Sequence, residues 1–153
     1  MLVLCSLDTL TQQLLEPLLI ASRRENFRAI QRLWHDWQQG ENRFCQEGEL
    51  LLGGFWEETL VAVGGLNLDP FVPVTAPKTG RIRRLYILPE YRRRGIASTL
   101  VTALLEHARP SFSRVHVRTN RDDAAAFYEA LGFLSSSETS DFTHFWCSER
   151  GLQ

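Results

Sequence analysis

The feature that most constrains the fold is a strand-like segment that runs directly into a helix. The segment GRIRRLYIL, residues 80–88, is followed after PEYRRRG by apolar residues that recur at helical spacing from about Arg94 until Pro110. A second strand-like segment, SRVHVRT, comes next and places Val115 and Val117 on one face. Together with the helix and strands that follow, this order predicts a mixed sheet covered by helices on both faces.

The strand at residues 80–88 does not alternate regularly. Ile82 has one parity, whereas Leu85 and Ile87 have the other. Because successive side chains of a strand point to opposite faces, this slip predicts either burial on both faces or a β-bulge near Arg83 and Arg84.

The first half of the chain contains two helical patterns. Leucines at positions 14, 15, 18 and 19 recur at helical spacing, and Pro17 indicates a helix start or a kink. A second apolar stripe runs from Phe27 to Trp37 and ends near Gly40. Core packing is the expected use of both stripes.

Strand patterns account for most of the remaining chain. Residues 2–5 form a short strand, and ELLLGGFWEE and TLVAVGGLNL predict a hairpin that turns at Glu57 and Glu58. A short helix capped by Asp122 or Asp123 ends at Gly132. The segments GFLSSS and DFTHFWC then predict two closing strands.

Composition and charge narrow the class of protein. The 153 residues fit one domain, 1–153, and 44% hydrophobic with 23% charged residues is typical of a globular chain. The formal net charge of -1 argues against a general nucleic-acid binder. One short stretch, whose only acid is Glu90, nevertheless holds six arginines: Arg81, Arg83, Arg84, Arg92, Arg93 and Arg94. This cluster indicates a site for an anionic ligand.

The cysteines and the apolar runs indicate the compartment. Cys5, Cys45 and Cys147 are odd in number and lack metal-ligand spacing, which is typical of reduced cytosolic thiols, so we expect no metal site. The opening MLVLCSL is too short and lacks the basic start of a signal peptide, and no apolar run has the length of a membrane span. We therefore expect a cytoplasmic protein without a membrane partner.

The turn between the strand and the long helix is suited to hold an anion. A helix N-terminus presents unpaired backbone N–H groups, and the helix dipole adds positive potential there. Gly95 and Ala97 leave space in which phosphate oxygens can approach the backbone. The segment lacks the Gly-Lys-Ser/Thr of nucleotide-binding loops and the spacing of a dinucleotide fingerprint.

Two segments resemble one known family. RRLYILPEYRRRGIASTLVTALLEHA resembles the acetyl-coenzyme A signature of the GCN5-related N-acetyltransferases, the GNAT superfamily. That signature reads Arg/Gln-x-x-Gly-x-Gly/Ala after a strand and a proline, and Arg92, Gly95 and Ala97 occupy its fixed positions. NRDDAAAFYEALGF resembles the downstream element, in which an asparagine precedes a helix that ends in Tyr-Glu-x-Leu-Gly-Phe. The two segments have the order and separation of the family from Gly80 to Phe133.

The resemblance implies a fold and a cofactor. The fold is a single-domain α/β GNAT fold, with a mixed, mostly antiparallel sheet of six to seven strands and a splayed parallel strand pair at the cofactor site. The co-substrate is acetyl-coenzyme A, with no metal, its pyrophosphate on the backbone of residues 93–98 and its pantetheine arm along residues 85–87. The implied cofactor-binding residues are Leu85, Tyr86, Ile87, Arg92, Arg93, Arg94, Gly95, Ile96, Ala97, Ser98 and Asn120.

One departure from the family pattern concerns Asn120. Family members usually place the asparagine seven positions before the tyrosine, whereas Asn120 precedes Tyr128 by eight. Either Asn120 reaches the coenzyme across a longer turn, or Arg121 or Asp122 takes its place.

The resemblance also implies direct attack of an amine on the thioester, without an acyl-enzyme. The departing thiolate benefits from an acid, and Tyr128 matches the family tyrosine that points at the sulfur. The amine must lose a proton, and His116 lies at a strand position where some members place a base. The other candidates for the base are His144 and, through water, Asp69, Glu58 and Asp141.

We therefore expect an N-acetyltransferase that acetylates a primary amine of a small molecule or peptide. The alternative is a catalytically silent acyl-coenzyme A-binding module that senses or regulates. A protein that uses the arginine cluster to bind RNA or an anionic protein fits the near-neutral charge poorly. Dimers are common in the family, so a homodimer is compatible with the resemblance, and no sequence pattern identifies the acceptor.

Overall fold

A computed structural model describes residues 1–148 of the chain. These residues form one seven-stranded sheet with the strand order β1-β2-β3-β4-β5-β7-β6, and only the β4–β5 pair is parallel. The strands are β1 Leu2–Ser6, β2 Leu50–Trp56, β3 Thr59–Leu68, β4 Thr79–Ile87, β5 Arg114–Val117, β6 Leu134–Ser135 and β7 His144–Cys147. The predicted mixed, mostly antiparallel sheet is confirmed.

Four helices cover the sheet: α1 Gln12–Arg24, α2 Ala29–Gln39, α3 Ile96–Ala108 and α4 Asp122–Ala130. A side chain at Gly64 would meet Leu104 of α3, whereas one at the next residue, Gly65, would meet Phe44, which follows α2. Because adjacent strand residues face opposite sides, α3 and the α1–α2 pair pack on opposite faces of the sheet. The prediction of helices on both faces is confirmed, and the leucines of these helices form the core.

The parallel strand pair is short and separates early. Its register runs from Thr79 opposite Arg114 to Arg81 opposite His116, and no pair follows in the described residues. β4 continues to Ile87, so the second half of this strand has a free edge on the side of β5. This opening is the splayed pair expected from the sequence.

A β-bulge interrupts β4 where the two strands separate. Val63 of β3 pairs with Tyr86, but Gly65 pairs with Arg83, so two residues of β4 lie opposite one of β3. Arg84 has a φ of 60°, a left-handed conformation that is uncommon for a residue other than glycine. The bulge explains the parity slip of the sequence and confirms the bulge predicted near Arg83 and Arg84.

Local details confirm one turn and decide where α1 begins. Glu57 and Glu58 form the predicted hairpin turn, with φ values of 49° and 74°. α1 begins after Thr11, whose hydroxyl accepts the Leu14 N–H at 3.1 Å, so Pro17 lies inside the helix and is not its start.

The cap predicted for α4 is wrong. The N-cap residue is Arg121, and Asp122 and Asp123 lie in the first turn of the helix. The Asp123 carboxylate accepts the N–H of Ala124 and forms an ion pair with Arg121 at 2.7 Å. Gly132, with a φ of 98°, follows the C-cap residue Leu131 and allows the chain to turn away.

No helix within residues 1–148 combines the length and the apolar character that a membrane crossing requires.

The close approach of Phe44 to β3 predicts a strict requirement for glycine at position 65. A Cβ atom there would lie 2.3 Å from Phe44 and 3.2 Å from the Arg83 carbonyl oxygen. We expect Gly65→Ala to lower the free energy of unfolding by about 1–3 kcal/mol through overpacking. The matched control is Gly54→Ala, whose Cβ would lie 3.3 Å from a flexible Leu2 side chain. Urea unfolding that shows equal losses for both variants would contradict this assignment.

Candidate active site

A cavity of about 550 Å³ lies along the free edge of β4, between the start of α3 and the start of α4. Nine of the eleven cofactor-binding residues expected from the sequence line it: Leu85, Tyr86, Ile87, Arg92, Arg93, Gly95, Ile96, Ala97 and Ser98. Arg94 and Asn120 do not line it. The cleft also receives Glu25 and Phe27, from the segment between α1 and α2, which the sequence did not predict.

The turn before α3 presents a row of free backbone donors. Arg93 and Gly95 have φ values of 65° and 78°, and this left-handed geometry turns successive N–H groups toward one side. Within the described chain, no N–H from residue 93 through residue 98 donates to another protein group, and the first helical bond runs from Thr99 to the Gly95 carbonyl. A Cβ at Gly95 would meet no atom within 4 Å. The turn therefore leaves both donors and space for an anion.

The three arginines of this turn differ in their contacts. The Arg94 guanidinium lies over the rings of Tyr91 and Trp56, at 5.0 and 5.6 Å from their centroids. Arg93 lines the cleft and makes no side-chain hydrogen bond or ion pair with the described residues. Arg93 is thus the arginine of the three whose side chain is available to a ligand in the cleft.

Arg92 connects the turn to two other elements. Its Nη1 and Nη2 atoms donate to Glu25 at 2.8 and 2.7 Å, and its Nε donates to the Ile87 carbonyl at 3.0 Å. These bonds from Arg92, with one from the Tyr86 hydroxyl, lower the pKa of Glu25 to about 2. Phe27 stacks on Tyr86 with 5.6 Å between ring centroids. The α1–α2 segment is therefore attached to one wall of the cleft.

The α4 wall of the cleft is formed by Arg121, Asp123 and Ala124 rather than by Asn120. Asn120 is exposed, whereas Arg121 reaches the cleft and is held by Asp123 through two hydrogen bonds of 3.1 and 2.7 Å. Of the residues considered for the asparagine role, Arg121 has the position that the geometry favours.

Tyr128 does not line the cleft itself; it follows Phe127, which does, and lies in an apolar environment. It is 5% exposed, and its ring contacts Phe127 and Phe133 edge to face, with centroid distances of 5.0 and 5.2 Å. Its hydroxyl makes no hydrogen bond with another residue of the described chain. Burial raises the pKa of the Tyr128 hydroxyl, so this group remains protonated at neutral pH.

His116 belongs to a buried charged network at the point where β4 and β5 separate. Its Nδ1 lies 2.8 Å from an Asp69 carboxylate oxygen, and Arg81 approaches the same carboxylate at 3.5 Å. Because an ionised carboxylate can only accept, Nδ1 of His116 donates the hydrogen bond to Asp69. Nε2 is buried and has no hydrogen-bond partner in the described part of the chain.

The pKa of Asp69 is lowered in this network. Burial alone would raise it, but the hydrogen bonds from His116 and from the Phe71 N–H, together with the charge of Arg81, outweigh burial. Phe142 stacks on the His116 ring with 3.7 Å between centroids and fixes its orientation. The imidazole is therefore held rigidly with one nitrogen free.

The second histidine considered as a base lies elsewhere. His144 pairs with Val117, the neighbour of His116, so its side chain points to the opposite face of the sheet. Its Nε2 lies 3.1 Å from Glu129, and its Nδ1 lies 2.9 Å from the Thr143 hydroxyl. Neither ring nitrogen of His144 is free, in contrast to Nε2 of His116.

The splayed strands, the bulge and the free N–H groups define an α/β domain with an anion-accepting cleft between two parallel strands. The family model of the acetyltransferase (GNAT) family matches residues 10–133. The chain belongs to this family, and the resemblance seen in the sequence is confirmed. No curated protein sequence matches the chain at a significant level.

Solved structures share the fold of this chain. One similar structure is that of a candidate acetyltransferase from Exiguobacterium sp. 255-15. It is 25% identical to this chain with a TM-score of 0.83, and the match covers 96% of this chain and 93% of that chain. A GNAT-family acetyltransferase from Staphylococcus aureus Mu50 is 16% identical with a TM-score of 0.66, and the match covers 97% of this chain and 99% of that chain. The glucosamine-6-phosphate N-acetyltransferase of Arabidopsis thaliana is 13% identical with a TM-score of 0.65, and the match covers 91% of this chain and 95% of that chain.

The geometry of the turn predicts different effects for two substitutions. Gly95→Val places a β-branched side chain at a φ of 78° and fills the space beside the N–H groups, so coenzyme A binding should be lost. Arg93→Ala removes only a side-chain charge, and we expect a loss of about 10-fold or less in affinity. Titration calorimetry measures the affinity of both variants for coenzyme A, and circular dichroism checks that each variant is folded. Equal losses would mean that side-chain charge, rather than the backbone, holds the ligand.

Proposed function

We propose that this protein is an acetyl-coenzyme A-dependent N-acetyltransferase that transfers an acetyl group directly to a primary amine. The observation that carries the proposal is the row of free N–H groups at residues 93–98, which continues into the free edge of β4. The cavity of about 550 Å³ along this edge fits an extended cofactor with a phosphate-bearing end. When bound, acetyl-coenzyme A supplies the activated acetyl thioester.

The β4 segment 85–87 orients the cofactor in this proposal. The strand has lost its parallel neighbour here, so its edge is free to bond an extended ligand as a further strand would. A backbone N–H aimed at the thioester oxygen would stabilise the negative charge that develops on it. The ion pair between Arg92 and Glu25 keeps this strand and the turn before α3 at a fixed distance.

Tyr128 is the proposed acid. Its buried hydroxyl keeps its proton at neutral pH and is not engaged by a described residue, so it can donate that proton to the leaving sulfur. Phe127 and Phe133 pack edge to face against the ring that carries this hydroxyl.

His116 is the proposed base, and Asp69 is the residue that positions it. The Nδ1–H bond to Asp69 fixes the tautomer in which Nε2 can accept a proton from the amine. Asp69 also stabilises the imidazolium that forms after this transfer. The attack therefore needs two protein groups, one that accepts the amine proton and one that protonates the thiolate.

We propose in addition that residues 1–153 form one domain that works in the cytoplasm. The single sheet described above supports one domain. Residues 149–153 lie outside the described part of the chain. Cys5, Cys45 and Cys147 are all unpaired, which fits a reducing compartment.

The first test measures cofactor binding and turnover together. Millimolar acetyl-coenzyme A should raise the melting temperature, and a panel of amines should include one that releases free coenzyme A thiol. Tyr128→Phe should lower kcat by about 100-fold and leave the affinity for acetyl-coenzyme A within about 3-fold, since the hydroxyl acts only as an acid. No thermal shift would refute the proposal. Tight binding without thiol release from any amine would favour the silent acyl-coenzyme A-binding module.

The second test separates the two buried histidines. His116→Asn should lower kcat/KM by about 100-fold at neutral pH, because the side chain that accepts the amine proton is lost. His144→Asn is the matched control, since His144 is equally buried and also contacts a carboxylate. We expect it to change kcat/KM by less than about 3-fold. The assignment fails if the control loses as much activity as His116→Asn.

A further inference from the structure

The face of the sheet that carries His116 also carries an excess of arginines around the site where β4 and β5 separate. Arg81 and Arg83 pair with Asn67 and Gly65 on this face, and Arg118 directly follows the end of β5 at Val117. Burial lowers the pKa of Arg81 most, and the charges of Arg83 and Arg118 lower it further, as expected when both guanidinium groups lie near that of Arg81. A fourth arginine, Arg84, lies at the bulge and is also influenced by Arg83.

The carboxylates on this face neutralise only part of this charge. Asp69 pairs with Arg81 at 3.5 Å, and Asp36 of α2 pairs with Arg84 at 3.4 Å. The side chains of Arg83 and Arg118 form no ion pair, hydrogen bond or ring contact with any residue in the range 1–148. Two cations therefore remain without a protein partner beside the two that are paired.

These two arginines occupy equivalent places on the two strands. The last β4–β5 pair is Arg81 with His116, and Arg83 and Arg118 each lie two residues beyond it. Two residues of extended chain span about 6.6 Å, so both residues lie at the start of the opening, one on each side of it. The bulge sends the side chain of Leu85, which lines the cleft, to the α3 face, whereas Arg83 shares the face of His116. The two arginines thus lie at the end of the opening that holds the proposed base.

The paired arginines lack partners for part of their hydrogen-bonding capacity. Nη1 of Arg81 and Nε of Arg84 are buried and make no hydrogen bond in the described structure. Burial first, and then the charge of Arg83, lower the pKa of Arg84, and burial likewise lowers that of Arg81. Mutual repulsion of this kind is relieved when an anion binds among the guanidinium groups.

We propose that the acceptor amine carries an anionic group, a phosphate or a carboxylate, which Arg83 and Arg118 bind from the two sides of the opening. The proposal rests on the acetyltransferase function and specifies its substrate class. An anion held by these two arginines would place the amine of the same small molecule near His116, two residues back on β5. Guanidinium groups suit this task because their planar donors bond carboxylate and phosphate oxygens in pairs.

The test compares amines that differ only in the anionic group. Coenzyme A is kept at a saturating concentration, so that the turn before α3 is occupied. Titration calorimetry then compares the affinity for O-phosphoethanolamine with that for ethanolamine, and the affinity for β-alanine with that for β-alaninamide. We expect the anionic member of at least one pair to bind about 10-fold to 100-fold more tightly. Arg83→Gln and Arg118→Gln should each remove most of this preference. The matched control is Lys78→Gln, which removes one positive charge just before β4, at the end of the strand away from the opening.

The outcomes distinguish this proposal from the function on which it rests. Equal binding of the anionic and neutral members, or a preference that persists in both arginine variants, would overturn the anionic acceptor even if amines are acetylated. A preference lost equally in Lys78→Gln would overturn the assignment to Arg83 and Arg118. Failure of coenzyme A itself to bind would refute the acetyltransferase function, and the proposal with it. Melting temperatures of the three variants show whether a loss reflects unfolding.

Discussion

The loss of strand pairing beyond Arg81 is the constraint on which the rest of the structure depends. A sheet edge with unsatisfied N–H and C=O groups is costly unless water, protein or a ligand bonds it. Here the bulge at Arg84 bends β4 away from β5, so the second half of β4 borders a cavity instead of a neighbouring strand. The turn that begins α3 opens into the same cavity, so one continuous surface of free backbone groups results.

Two ion-pair systems hold this opening in shape. Glu25 links the end of α1 to Arg92 and Tyr86 on one wall, and Asp69 links His116 of β5 to Arg81 of β4 where the strands separate. Both carboxylates have lowered pKa values because cationic or N–H groups bond them, so both stay ionised well below neutral pH. The cleft therefore keeps both of these negative charges at neutral pH.

Local sequence patterns predicted the elements of the cleft but not the contacts that join them. The parity slip in β4 indicated the bulge, and the motif around Gly95 indicated the anion-binding turn, because both depend on residues adjacent in the chain. Glu25 gave no signal, since its partner Arg92 is 67 residues away. The cap of α4 was predicted wrongly because Asp123 bonds Arg121 and the Ala124 N–H from within the first turn, which a cap pattern does not distinguish.

The sequence by itself determined the order of strands and helices along the chain, the turn with free N–H groups before α3 and the family, since periodicity, glycine placement and motif spacing are local properties. The tertiary structure decided which of the candidate bases is free. His116 and His144 look alike in sequence, but pairing between β5 and β7 sends them to opposite faces, where only His116 keeps an unbonded nitrogen. It also decided which arginines lack carboxylate partners, because partners such as Asp36 and Asp69 arrive from other elements of the fold.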